Sequence, residues 1–394
     1  MTTAREPLGG ARDARKNDEN GKLARFSCLG LGLGLGLALA LPLLGSCLVR
    51  GGGPGEAVGA HMVPATEVRP LKEAAEAAHR KVGTCLMSQQ LQDAATAKLL
   101  ASDFDSLTPE NEMKWETVEP RPGAFAFAPG DAIVAFATSN GMRMRGHTLV
   151  WHSQLAPWVK GLSVEERRAA MVRHVQGVVG HWKGRVAQWD VVNEAFADGP
   201  SGALRGDSPW TALGPSFIDE AFRLAHEADP DAKLFYNDYE IEAEGSPKAE
   251  AVYRMCQRMK EAGVPLHGIG LQMHVDPRHG PPIAKIRSNI ARFAALGLLV
   301  ELTEVDVPVG AVPGTIEEKL NRQRAITHDV VAACVAVEAC TGVTFWGLSD
   351  RTSWLNEPRW GQLRGEGPHY PLPFNRDLQP KPMVLGILDA FAGK

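Results

Sequence analysis

The chain has 394 residues, 44% of them hydrophobic and 22% charged, with a formal net charge of −4 at pH 7. That is an ordinary globular composition. The slightly acidic balance offers no basic surface for nucleic acid or another polyanion, and such partners are excluded.

The first fifty residues differ from the rest. Arg5, Arg12, Arg15, Lys16, Lys22 and Arg25 form a basic lead, and the uncharged "FSCLGLGLGLGLALALPLLGSC" (26–47) follows. A basic segment, an apolar stretch and small residues at its end read as an export signal over residues 1–47. "LGSC" (44–47) resembles a bacterial lipobox, which would leave Cys47 lipidated at the new N-terminus. Ordinary cleavage nearby and an uncleaved anchor are the alternatives. The expected location is extracellular, or lipid-anchored at the cell surface or outer membrane, with the N-terminus as the membrane tether. Residues 48–70, rich in Gly, Pro and Ala and without periodicity, read as a flexible linker.

From 71 to 394 no second linker interrupts the chain, so one domain of about 320 residues is expected. Short runs of β-type residues recur through it. They are "KVGTCL" (81–86), "FDSLTPEN" (104–111), "RMRGHTLVW" (143–151), "QWDVVNE" (188–194), "KLFYND" (233–238), "GIGLQMH" (268–274), "LLVELTEVDV" (298–307) and "GVTFWGLSD" (342–350). Amphipathic helical stretches separate them, the clearest at 163–182, where Met171, Val172, Val175, Val178, Val179 and Trp182 recur at helical spacing. Ser163 with Glu166 and Thr315 with Glu318 form capping boxes, and Ser246-Pro247 marks a third helix start. Eight strands alternating with eight helices predict an α/β fold, a single (β/α)₈ barrel behind the signal segment and tether. A doubly wound open sheet is the alternative, disfavoured because no G-x-G-x-x-G follows the first run.

Six cysteines are present. Export permits disulfides, and Cys334 and Cys340 bracket a turn and are the pair expected to bridge. Cys256 lies on an apolar helical stripe with Val252, Met255 and Met259 and reads as a buried free thiol; Cys85 is left open.

In a parallel barrel the reactive groups project from the carboxyl ends of the strands. Polar residues fall there in seven runs: Glu110 and Asn111, His147 with Trp151, Asn193 and Glu194, Asn237 and Asp238, Gln272 and His274, Glu304 and Asp306, and Trp346. A strand-end polar residue often only caps a helix or meets water, but seven strands doing so together points to a site. Glu194 and Glu304 are 110 positions apart, so only a closed fold brings them to one cavity. Paired carboxylates, one protonated and one ionised, are the apparatus of glycoside hydrolysis. Glu304 has Asp306 two residues on, on the same strand face, and His274 at the end of the preceding strand could donate to Glu304 while held by Asp306. Such bonds favour the charged form of Glu304. Glu194 follows apolar residues with only Asn193 beside it, which suits a carboxyl kept protonated. Trp115, Trp151, Trp346 and Trp354 offer aromatic platforms for sugar faces, whereas Trp189, inside its run, reads as core.

"TPENEMKWE", "GHTLVWHSQ", "WDVVNEA", "YNDYE", "GLQMH", "ELTEVDV" and "VTFWGLSD" occur in one order, and together they resemble glycoside hydrolase family 10, the (β/α)₈ endo-β-1,4-xylanases. The resemblance covers essentially everything after the linker. It implies a retaining double displacement on the backbone of xylan and xylo-oligosaccharides, with Glu194 as acid/base, Glu304 as nucleophile, and His274 and Asp306 as the nucleophile's support. By the same resemblance Asn193 would bond the 2-hydroxyl of the reacting sugar. His147, Trp151, Gln272, Trp346 and Trp354 would line its subsite, and Glu110, Asn111 and Lys114 would grip the glycone side. Tyr239 would face the aglycone, and Cys334 and Cys340 match a pair the family often bridges. Leu355, Asn375 and Met273 depart from common family residues. No cofactor or metal is implied, and a monomer is expected. A cellobiosidase or mixed xylan/glucan hydrolase is the alternative in the same chemistry, and a non-catalytic surface xylan-binding lipoprotein the alternative outside it.

Overall fold

A computed structural model describes residues 61–357 and 368–394. The signal segment, Cys47 and most of the linker lie outside the described residues. Within the linker's last ten residues, Ala65–Glu67 form a helical turn and Val63 N–H donates to Pro380 O at 2.9 Å.

Eight parallel strands run in sequence order and close into a barrel: β1 Lys81–Leu86, β2 Ser106–Pro109, β3 Arg143–Val150, β4 Gln188–Asn193, β5 Lys233–Asp238, β6 Gly268–Leu271, β7 Leu299–Val305 and β8 Cys340–Phe345. Closure is the pairing of β1 with β8, from Lys81 opposite Gly342 to Thr84 opposite Phe345. Among the described residues one helix of ten or more residues follows each strand, with shorter helical turns beside some of them: α1 Ala94–Asp103, α2 Ala128–Ser139, α3 Val164–His181, α4 Phe217–Ala228, α5 Pro247–Glu261, α6 Ile283–Ala295, α7 Ile316–Val335 and α8 Pro382–Phe391. The two capping boxes form as expected, and Ser246 Oγ accepts from Ala249 N–H ahead of Pro247. Every expected strand is present. Several stop before the run that marked them, β2 at Pro109, β6 at Leu271 and β8 at Phe345. The first residue past each end keeps a backbone bond to the neighbouring strand, Glu110 N–H to Leu86 O at 2.8 Å, Gln272 N–H to Asp238 O at 3.0 Å and Trp346 N–H to Val305 O at 3.0 Å.

The outward faces of the strands pack on the helices. Trp189 is wholly buried there, as expected, in a slot left open because residue 146 of the adjacent strand is glycine; a Cβ at Gly146 would lie 2.2 Å from its ring. Inside, the barrel floor is charged. Arg145 binds Asp190 through two nitrogens and donates to Glu301 at 3.0 Å, while Arg143 and Gln188 donate to Glu301 at 2.8 and 2.7 Å. Burial alone would raise Asp190 and Glu301, but the arginines hold both carboxyls below their ordinary values.

Register shifts occur in the β3–β4, β4–β5 and β7–β8 pairings. Their effect is readable in which residues face inward. On β4, Gln188 and Asp190 point into the barrel and so does Asn193, which a strict period of two would send outward. On β7, Glu301 and Thr303 point in, and so does Glu304. A bulge adds a residue and re-aims the side chains beyond it. Both strands that carry the conspicuous glutamates are bulged.

Cys334, at the end of α7, is bonded to Cys340 at the start of β8, with Cα atoms 5.2 Å apart. Cys85 and Cys256 are free and buried, Cys256 on the inner stripe of α5.

Candidate active site

Glu194 directly follows β4 in left-handed backbone, φ 53°. Few non-glycine residues adopt that conformation unless their surroundings impose it. Its N–H donates to Asn237 O on β5 at 2.9 Å. Its carboxylate accepts from Trp151 Nε1 at 2.8 Å on one oxygen, and from Gln272 Nε2 at 2.8 Å and Asn193 Nδ2 at 3.1 Å on the other. The expectation that Asn193 alone stands beside it is therefore corrected. β3 and β6 each bring a donor from far along the chain, which local sequence cannot reveal.

Glu304 projects from β7. It accepts from Asn237 Nδ2 at 2.8 Å, and His274 Nε2 lies 3.3 Å from its second oxygen. His274 Nδ1 is 2.9 Å from Asp306 Oδ2, and Trp354 Nε1 donates to that same oxygen at 2.8 Å. Burial works against a charged imidazole here, but Asp306 and Glu304 outweigh it and push His274 up to about 10. At neutral pH it is a cation donating to both carboxylates.

A charged His274 also ties the stability of the fold to pH. A histidine raised on folding contributes most below its unfolded value of about 6.5, and the contribution disappears as pH climbs through the folded value. The urea midpoint of the protein is expected to fall between pH 6.5 and 10 more steeply than that of His274→Asn. Parallel curves for the two proteins would show that the imidazole is not held charged.

The two glutamates are joined by amides. Asn237 Nδ2 donates to Glu304 and, at 2.9 Å, to Asn193 Oδ1, and Asn193 in turn donates to Glu194. Thr303 Oγ1 donates to Asn237 Oδ1 at 2.6 Å and fixes which way that amide faces. Glu194, Glu304, Asn193, Gln272, His274, Asp306, Trp151 and Trp354 thus form one bonded constellation. His147 joins it edge-on to Trp346, ring centroids 5.2 Å apart, with Nδ1 3.0 Å from Asp190 Oδ2.

On one flank, Lys114 Nζ lies 5.1 Å from the Trp151 ring centroid and donates to Asn111 Oδ1 at 3.3 Å and Gln154 Oε1 at 2.7 Å. Glu110 is buried beside the Cys85 thiol, 4.0 Å away. Burial raises it to about 7, Lys114 opposing and Glu112 reinforcing the shift. Burial and Glu110 also keep the Cys85 thiol well above its ordinary value, so it is an inert neutral group. Just past β5, Tyr239 donates to Asp198 Oδ1 at 2.5 Å, and Lys248 Nζ sits 3.6 Å from its ring centroid.

One of the expected aromatic platforms lies outside the cleft. Trp115 is buried with its ring stacked on His174 at 3.6 Å and against Trp210, so it is core and not a sugar platform. The residues that depart from family custom have local roles. Leu355 is buried next to Trp354, Asn375 Oδ1 accepts the N–H groups of Asp377 and Gln379, and Met273 takes left-handed backbone with its N–H on Glu242. The sequence reading missed Asn237 as the bridge, Asp190 as the partner of His147, and Arg205. Asn237 shares the strand-end position that marked the others; Asp190 lies inside its strand and Arg205 in a loop, where no pattern singles them out.

A profile of glycosyl hydrolase family 10 matches residues 70–390. The chain is 43% identical over 294 residues to a β-1,4-xylanase of Dictyoglomus thermophilum, covering 72% of this chain and 81% of that protein. It is 40% identical to endo-1,4-β-xylanase B of Thermotoga neapolitana, covering 74% and 82%. Among solved structures, xylanase 10B of Thermotoga petrophila in complex with xylobiose superposes with a TM-score of 0.76 at 37% identity, covering 84% of this chain and 99% of that one. Barrel, paired glutamates and these likenesses agree: the chain belongs to glycosyl hydrolase family 10 and is a glycoside hydrolase.

Proposed function

We propose that the protein is a retaining endo-1,4-β-xylanase that cleaves internal β-1,4 bonds of xylan and xylo-oligosaccharides. The observation that carries this is the pairing of Glu194 and Glu304 through Asn193 and Asn237, with a cationic His274 behind Glu304 alone. A neighbour held charged at neutral pH suits a nucleophile, because it supports negative charge on the carboxylate that must attack and later leave. Glu304 bonds to the anomeric carbon as the bond to the leaving oxygen breaks, and Glu194 gives that oxygen its proton. Glu194, now a base, takes a proton from water as the water attacks the same carbon and Glu304 departs. Two displacements return the original configuration. Asn193 would bond the 2-hydroxyl of the reacting sugar, a role supported by its amide lying between the two glutamates, bonded to Glu194 and Asn237.

The substrate class rests on the relatives, three of which are named as β-1,4-xylanases at 40% identity or more. The test is the product profile from plain xylan with the anomer of the first products read by proton NMR. A ladder of xylo-oligomers appearing first as β-anomers is expected. First-formed α-anomers would remove the double displacement, and faster cleavage of an aryl cellobioside than of an aryl xylobioside would remove the xylan assignment. We also propose export with Cys47 as the lipidated N-terminus, supported by "LGSC" after the apolar run. Mass spectrometry should find a mature chain beginning at Cys47 and carrying acyl mass; a chain cleaved elsewhere without it overturns the lipid anchor.

A further inference from the structure

The peptide between Glu194 and Ala195 is gripped at both ends. Arg205 Nε donates to Glu194 O at 3.0 Å, and Ala195 N–H donates to the Tyr236 hydroxyl at 3.0 Å. Both holders are themselves fixed. Arg205 is buried, and its Nη2 donates to Asp198 Oδ1 at 2.9 Å and to the Tyr239 hydroxyl. Tyr236 donates to Asp238 Oδ2 at 2.6 Å, and Asp238 is paired with Lys248 at 2.9 Å. The loop returning from Glu194 closes on itself through Ala197 N–H to Ala203 O and Arg205 N–H to Ala195 O, which delivers the guanidinium to the carbonyl.

This grip explains how Glu194 keeps a left-handed backbone that its side chain disfavours. Rotation of that peptide would swing the carboxyl away from the bond it protonates. We propose that Arg205 is a positioning residue for the acid/base: it touches the main chain of Glu194, not the reacting atoms, and sets the angle from which the proton is delivered. The inference rests on Glu194 being the acid/base. Substitution of Arg205 should therefore damage proton transfer more than substrate binding or nucleophilic attack.

Arg205→Met and Tyr236→Phe, one from each end of the peptide, are measured on two aryl xylobiosides. A dinitrophenyl leaving group departs without protonation, while a phenyl leaving group needs it. A misplacement of about 1 Å costs on the order of 10²-fold in a catalytic step. Arg205→Met should lower kcat on the phenyl substrate by about 30- to 100-fold. It should alter the single-turnover rate of dinitrophenol release by less than about 3-fold and leave KM within about 2-fold, so the dependence on leaving-group pKa steepens. Tyr236→Phe should show the same split, smaller in size. Arg205→Lys keeps the charge without the planar fork and should not restore the phenyl rate. Equal losses on both substrates, or a loss confined to KM, overturn the proposal. Glu194→Gln on the same pair separates the two levels: if that variant shows no preference for the activated substrate, the acid/base reading itself fails. If it shows the preference and Arg205→Met does not, only the positioning role fails.

Discussion

Glu304→Ala is expected to lower kcat on a dinitrophenyl xylobioside by on the order of 10⁴- to 10⁶-fold, the scale of loss when a nucleophile is deleted. The leaving group needs no proton, so the acid cannot mask the effect. The variant also leaves space on the face from which the carboxylate would attack. Azide entering there makes one displacement, and the product should be the α-xylosyl azide. The fold should survive, because Glu304 stands at the mouth and its donors, Asn237 and His274, keep their bonds to Asn193 and Asp306. Residual turnover within about tenfold of the parent would take Glu304 out of the nucleophile role.

Glu194→Ala should separate substrates by leaving group instead. General acid catalysis supplies about 10²- to 10⁴-fold, so natural xylo-oligosaccharides and phenyl xylobioside should lose activity on that scale. The dinitrophenyl substrate should form its glycosyl-enzyme readily and then stall, since the base for the second step is missing. A burst of dinitrophenol is the expected trace. Azide should relieve the stall and yield the β-xylosyl azide, two displacements having occurred. An α-azide from this variant, or none, would exchange or dissolve the two assignments.

The strands and the conspicuous residues at their ends were legible because each β-type run is short, apolar and terminated by groups that cannot stay in an apolar wall. "KLFYND" gave β5 to the residue. The features that stayed hidden depend on closure. Arg145 and Glu301 sit inside their runs at inward positions, and each reads as an ordinary half-exposed strand residue. Only when β3 and β7 face each other across a barrel do they become partners, 156 residues apart. Trp115 misled for the same reason. In "TPENEMKWE" it stands beside cleft residues, yet its partner His174 comes from α3, 59 positions on, and draws it into the core. Arg205 lies in a stretch of Gly, Ala and Pro that carries no periodicity, and its target is a carbonyl, a group every residue has.

The bulges in β4 and β7 bear on how this family can drift. Between Asp190 and Asn193 the strand spends one residue more than a regular ladder would, and that surplus rotates Asn193 inward ahead of Glu194. A further one-residue insertion between Asp190 and Asn193 would keep every polar residue in the motif and still turn the pair toward the helices, since a slip of one place swaps the two sides of a strand. Excising Val191 would instead remove the surplus and leave Asn193 facing inward. Point changes at Val191 or Val192 test packing only, whereas one added residue there would mark a descendant that has lost the reaction while keeping its letters.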